Sequence, residues 1–189
     1  MSTLKNIFET LQLQGFETDK GTVHSYIDVY EDVLASYRNT AENVLEIGVF
    51  KGNSLRMWEQ YFKQASVIGV DCDDMPHGGL ADLREMIESG KHCIKIFDAE
   101  NPKLVKEHFA GMKFDVIIED ANHSLEQQLK LYNIYKEYLA PGGIYIIEDV
   151  EDIDKSRTAF ETIDNSKTVT ILDRRNILNR FDDILIIIK

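Results

Sequence analysis

The chain has 189 residues and a net charge of −12, and its 43% hydrophobic and 29% charged content is ordinary for a globular protein long enough to bury a sizeable core. Acidic residues spread along the whole chain disfavour the basic surface that a nucleic-acid backbone requires, so a small-molecule partner is expected and no nucleic acid. The apolar runs are too short to span a bilayer, MSTLKNIFET lacks the apolar centre of a signal peptide, and Cys72 and Cys93 form no C-x-x-C pattern; no membrane, disulfide framework or zinc site is expected, and a reducing cytoplasm is the default compartment.

Leu4, Ile7, Phe8 and Leu11 recur at helical spacing, as do Tyr26, Tyr30, Val33 and Tyr37, which predicts two amphipathic helices ahead of the first strand. That strand is expected over 44–48. A helix follows, capped by Asn53 and carrying Leu55, Trp58 and Phe62 at i, i+3 and i+7; SVIGVD then reads as strand two, ending in Asp71. Leu83, Met86 and Ile87 mark a helix stopped near Gly90, and HCIKIFD reads as strand three, ending in Asp98. Asn101 and Pro102 are the cap and first-turn proline of the next helix, and FDVIIED is strand four. A longer helix through Leu125, Leu129, Tyr132 and Leu139 runs to a Pro141-Gly142-Gly143 turn before strand five, IYIIED. A short helix near 155–162 precedes two strands, TVTIL and ILIII, too closely spaced to be parallel. The expected fold is α/β and Rossmann-like: a mostly parallel seven-stranded sheet with an antiparallel last strand and helices on both faces. One domain over 1–189 is expected, with N-terminal helices in 1–40 and the core in 41–189; a homo-oligomer is left open.

The stretch VLEIGVFKGNS places glycine only at Gly48 and Gly52 after a strand carrying Glu46. Glycine permits close backbone approach and positive φ, which suits a nucleoside-cofactor loop, but Phe50 stands where a dinucleotide fingerprint needs its middle glycine. The spacing E-x-G-x-x-x-G resembles the first motif of class I S-adenosylmethionine (SAM) methyltransferases. Acids end the first five strands: Glu46, Asp71, Asp98, the pair Glu119 and Asp120, and the pair Glu148 and Asp149. This is the edge where an open α/β sheet binds ligands. Asp71 can accept from both ribose hydroxyls, and Asp98 can accept from an exocyclic adenine amine or cap its own turn. Pairs on neighbouring strands would lie roughly 5–10 Å apart, given a strand spacing of ~4.8 Å. Carboxylates that close need a cation or a proton, and an all-oxygen set suits Mg²⁺; the same acids could simply cap helices or face solvent. His123, three residues after Asp120, is of the residue type most often used as a general base and could equally be a cap or a ligand. His24, His77, His92 and His108 lack such surroundings. The loop DDMPHGGL at 73–80 is expected to be a mobile lid over the adenosine.

Three segments, TDKGTVHSYIDVY at 18–30, VLEIGVFKGNSLRMW at 44–58, and FDVIIEDANHS with LAPGGIYIIEDV at 114–124 and 139–150, resemble the metal-dependent O-methyltransferases that act on macrolide deoxysugars. The resemblance implies Mg²⁺ held by Asp120, Glu148 and Asp149, with His123 as base; Ala121 and Asn122 stand where that family has Gly-Ser. It implies SAM bound through Glu46, Gly48, Gly52, Ser54, Asp71, Asp98 and Glu119, and a sugar hydroxyl as methyl acceptor. Lys20, His24 or Tyr26 would lie near the cofactor, although helical packing accounts for the tyrosines as well. Three rival readings are an aromatic-diol methyltransferase, a dehydrogenase, and a catalytically silent SAM-binding protein.

Overall fold

The computed structural model describes residues 2–72, 79–164 and 166–189, and shows a seven-stranded sheet in the order β3-β2-β1-β4-β5-β7-β6. The strands are β1 Asn43–Ile47, β2 Ser66–Asp71, β3 Cys93–Ile96, β4 Phe114–Glu119, β5 Leu139–Ile147, β6 Val169–Asp173 and β7 Ile184–Ile188. All neighbours pair in parallel except β7, which runs antiparallel to both β5 and β6. The expected sheet is therefore the one observed, down to the single reversed strand.

The helices are α1 Leu4–Leu13, α2 Ile27–Leu34, α3 Asn53–Tyr61, α4 Gly79–Glu88, α5 Pro102–Phe109, α6 Leu125–Tyr135, α7 Ile153–Ile163 and a single turn, α8, Arg175–Leu178. Alternation along the strands sorts them into two layers. Val44, Val116, Ile118, Ile144, Ile146, Leu185 and Ile187 pack with α1 to α4, while Leu45, Ile47, Ile117, Tyr145, Ile147, Ile184, Ile186 and Ile188 pack with α5 to α7. The run Ile184–Ile188 is buried on both faces, as an internal strand between β5 and β6 demands; each such side chain contributes roughly 1.5–3 kcal/mol of burial.

Several local expectations are corrected. Gly52, with φ +75°, is the N-cap of α3; Asn53 is the first helical residue and instead donates from Nδ2 to the Glu17 carbonyl, 2.9 Å away. Strand three stops at Ile96, and Asp98 lies in the turn beyond, where Oδ1 accepts from the Glu100 amide at 2.9 Å. The long helix ends at Tyr135, followed by one 3-10 turn, because Leu139 already pairs with Phe114. Val116 next pairs with Ile144, so Pro141, Gly142 and Gly143 form a bulge within β5 rather than a turn before it. The second helix begins after Tyr26 and ends before Tyr37, whose hydroxyl donates to the Gly142 carbonyl at 2.8 Å and ties that bulge to the N-terminal helices. Asn101 caps α5 with Pro102 in its first turn, as its sequence predicts. Residues 73–78 of the proposed lid, His77 included, lie outside the described residues.

Candidate active site

The C-terminal edge of the sheet is shaped first by backbone. Gly48 has φ +85°, and a Cβ there would lie 2.0 Å from the Asp120 carbonyl oxygen and 2.8 Å from Ala121 Cα. The loops after β1 and β4 thus touch backbone to backbone, which only glycine permits. Phe50, His123 and Asp149 also hold positive φ, at 47°, 66° and 54°, in the loops after β1, β4 and β5. Non-glycine residues in that region cost of order 1 kcal/mol or more each, and their gathering at one edge is typical of a functional site.

Asp71, at the end of β2, spends Oδ2 on the amides of Val49 and Phe50, each 2.8 Å away, and Oδ1 on its neighbour's amide. It braces the glycine loop through these bonds. Ser54, in the first turn of α3, donates to Glu46 Oε2 at 2.7 Å, and both are buried. Glu46 therefore points into the protein edge and away from open solvent.

The acids meet around a residue whose role the sequence left open. Lys20 lies in a single 3-10 turn, Asp19–Gly21, and its ammonium is fully buried 3.2 Å from Glu46, 2.5 Å from Asp120 and 2.8 Å from Glu148. Burial lowers the affinity of that ammonium for its proton, but Asp120, Glu148 and Glu46 outweigh it and hold Lys20 well above the ordinary lysine range. Two tyrosines complete the floor: Tyr26, at the N-cap of α2, donates to Asp149 Oδ1 at 2.7 Å, and Tyr30, within α2, donates to Glu148 Oε1.

Asp120, His123 and Asp149 form a second grouping, their ligand atoms all within 4.8 Å of one another, with His123 Nε2 3.9 Å from Asp149 Oδ2. These pairs converge more closely than strand spacing alone suggests. Burial, then the charge of Asp120, pushes Asp149 up to about 8, and burial likewise raises Asp120, Glu46 and Glu148. One ammonium cannot balance four carboxylates, so the remaining charge calls for protons or a second cation. Glu148 falls with Glu46 and Asp120 rather than with Asp149.

Glu119 stands apart. Its side chain is fully buried, Oε1 accepts from the Ala121 amide at 3.2 Å, Oε2 has no hydrogen-bond partner, and burial pushes it up to about 8. The expectation that His24 lacks suitable surroundings is wrong: it is buried, with Nε2 3.3 Å from Asp149 and Nδ1 3.8 Å from Asp183, stacked on Tyr26. Burial lowers its pKa. Lys20, His24, Tyr26 and Tyr30 all come from the segment TDKGTVHSYIDVY, whose density of polar aromatic and basic groups ahead of the first strand was the available signal.

The chain is similar to known methyltransferases in sequence and in fold. The chain is 30% identical over 142 residues to the 8-demethyl-8-alpha-L-rhamnosyl tetracenomycin-C 2'-O-methyltransferase of Streptomyces olivaceus, covering 71% of this chain and 35% of that protein. It is 29% identical over 138 residues to the demethylmacrocin O-methyltransferase of Streptomyces fradiae, covering 69% and 33%. The chain thus spans about a third of the length of these relatives. The MycE methyltransferase of mycinamycin biosynthesis, solved with Mg, SAH and mycinamycin VI, superposes with a TM-score of 0.69 at 20% identity over 97% of this chain and 54% of that one, a likeness of fold. The family described as methyltransferase domain matches residues 45–150, from β1 through the acid pair after β5, and the chain belongs to that family.

Proposed function

We propose that the chain is a SAM-dependent, Mg²⁺-dependent O-methyltransferase that acts on a hydroxyl of a sugar or sugar-containing small molecule and works as one domain. The observation that carries this reading is the meeting of Asp120, His123 and Asp149 at the sheet edge, beside the loop of Gly48 and Gly52. The sugar O-methyltransferases among the relatives support the acceptor class.

The residues present fit both groups. Asp71 and the glycine loop lie at the ends of β2 and β1, where this type of sheet takes a nucleoside. Asp120 and Asp149 supply oxygen ligands suited to a hard cation; burial, then the charge of Asp120, raises the pKa of Asp149 to about 8, and a cation beside it would favour the ionised form. SAM would supply the sulfonium methyl, and Mg²⁺ would lower the pKa of an acceptor hydroxyl. The chain's own contribution is positioning and proton transfer. His123 Nε2 faces Asp149 Oδ2 at 3.9 Å; it is the atom to take the hydroxyl proton, and Asp149 stabilises the imidazolium that results. His123 and Asp149 both carry strained, positive-φ backbone, as residues at functional sites often do.

The test is release of S-adenosylhomocysteine from SAM in the presence of a panel of deoxysugar glycosides and catechols, with Mg²⁺ or a chelator. Turnover is expected with glycosides, lost on chelation and restored by Mg²⁺, and His123→Ala should lower it by ~10²–10⁴-fold, the usual reach of a general base. Turnover of catechols alone, or turnover indifferent to the chelator, would sink the proposal.

A further inference from the structure

The ammonium of Lys20 occupies the middle of one of the two carboxylate groupings at this edge. Glu46, Asp120 and Glu148 come from three adjacent strand ends, and each places an oxygen within 3.2 Å of Nζ. A lysine ammonium carries three N–H donors and no acceptor, so three carboxylates saturate it. Its position is built into the fold. The Tyr26 amide donates to the Lys20 carbonyl at 2.9 Å, and the His24 amide to the Asp19 carbonyl at 2.8 Å. Ser25 is tied through its amide and hydroxyl to the fully buried Asp183 at 3.1 and 2.7 Å. Gly21 packs so tightly against α1 and α2 that a Cβ would lie 2.7 Å from both Phe8 and Ile27. The backbone that carries Lys20 is thereby fixed against α1 and α2, and its ammonium starts from one place.

We propose that Lys20 is a positioning residue that serves as the resident cation of the Glu46, Asp120 and Glu148 group, dividing the acids into a lysine half and an open half. Asp120 belongs to both halves. A divalent ion is thereby confined to the side of Asp120, His123 and Asp149, one ion and not two, while Glu148 is held by Lys20 and Tyr30. This differs from the ligand set expected from sequence, in which Glu148 is a metal ligand. The division stands on the lysine geometry; its consequence for the metal rests on the function proposed above.

The test counts ions. Mn²⁺ binding is measured by the electron paramagnetic resonance of the free ion for the full chain and for Lys20→Met, which keeps the length of the side chain and removes its charge. The variant is expected to bind one Mn²⁺ more than the wild type, and its thermal midpoint to rise more with Mn²⁺, because the vacated carboxylates then take an ion that stabilises the fold. The wild-type count by itself bears on the metal requirement of the proposed reaction, whereas the difference between the two proteins bears on Lys20. Equal counts overturn the proposal. A second measurement needs no variant: the 15Nζ signal of Lys20 in the wild type should remain slowly exchanging at saturating Mg²⁺. Loss of that protection on adding Mg²⁺ would mean that the ion displaces the lysine, and would overturn the proposal equally.

Discussion

Gly48→Ala tests whether the contact between the loops after β1 and β4 sets the site. The new Cβ would sit 2.0 Å from the Asp120 carbonyl oxygen, 2.6 Å from its carbon and 2.8 Å from Ala121 Cα, against an ordinary contact of 3.4 Å or more. The obstructing atoms are backbone, so relief requires the loop that carries Asp120 and His123 to retreat by more than an ångström. Left-handed backbone at an alanine costs ~1–2 kcal/mol, and overpacking a close contact adds ~1–3 kcal/mol. A loss of roughly 2–5 kcal/mol is expected in urea unfolding monitored by circular dichroism, together with weaker Mn²⁺ binding because Asp120 moves. Gly52→Ala is the control. It shares the positive φ, at +75°, but its Cβ would meet the tip of Met86, with Sδ at 2.4 Å, and a thioether can swing aside. Its cost should stay near ~1–2 kcal/mol, with Mn²⁺ affinity unchanged. If Gly48→Ala is no less stable than Gly52→Ala, or leaves ion binding untouched, the backbone contact does not position the site.

Asp71→Ala removes the acceptor that gathers the Val49 and Phe50 amides; calorimetry should show SAM and S-adenosylhomocysteine binding weakened by roughly 1.5–3 kcal/mol, the range for hydrogen bonds to a charged group, and unaltered affinity would remove Asp71 from the cofactor site. Glu119 has a pKa raised from the ordinary 4.5 to about 8, so its neutral form is the one the fold favours. Stability from this group is fully present below pH 4.5 and is lost progressively as pH rises toward 8, by up to roughly 5 kcal/mol at ~1.4 kcal/mol per pH unit. Glu119→Gln cannot ionise and should flatten the decline, so urea midpoints of the two proteins should diverge between pH 5 and 8; parallel profiles would refute the assignment.

Much of the fold was legible because its signals are local. Ile184–Ile188 reads as a strand buried on both faces from five consecutive apolar residues, and the short span before it leaves no room for a parallel crossover. Asp71, Asp120, His123, Glu148 and Asp149 could be placed at one edge because a parallel sheet aligns all its strand ends. Helix boundaries were less legible: Tyr37 continues the apolar period beyond α2, yet its hydroxyl is needed at the β5 bulge. Which acids share a cation was beyond local reading. That depends on a lysine 26 residues before Glu46 in a turn between two helices, and 100 residues from Asp120, whose ammonium reaches the sheet edge only once α1 and α2 pack on the sheet. The succession of strands and helices is inherited from periodicity and connection length, which the chain carries residue by residue. The partition of charge at the edge arises from contacts between distant segments, and burial makes each of those contacts strong enough to decide which carboxylate is paired.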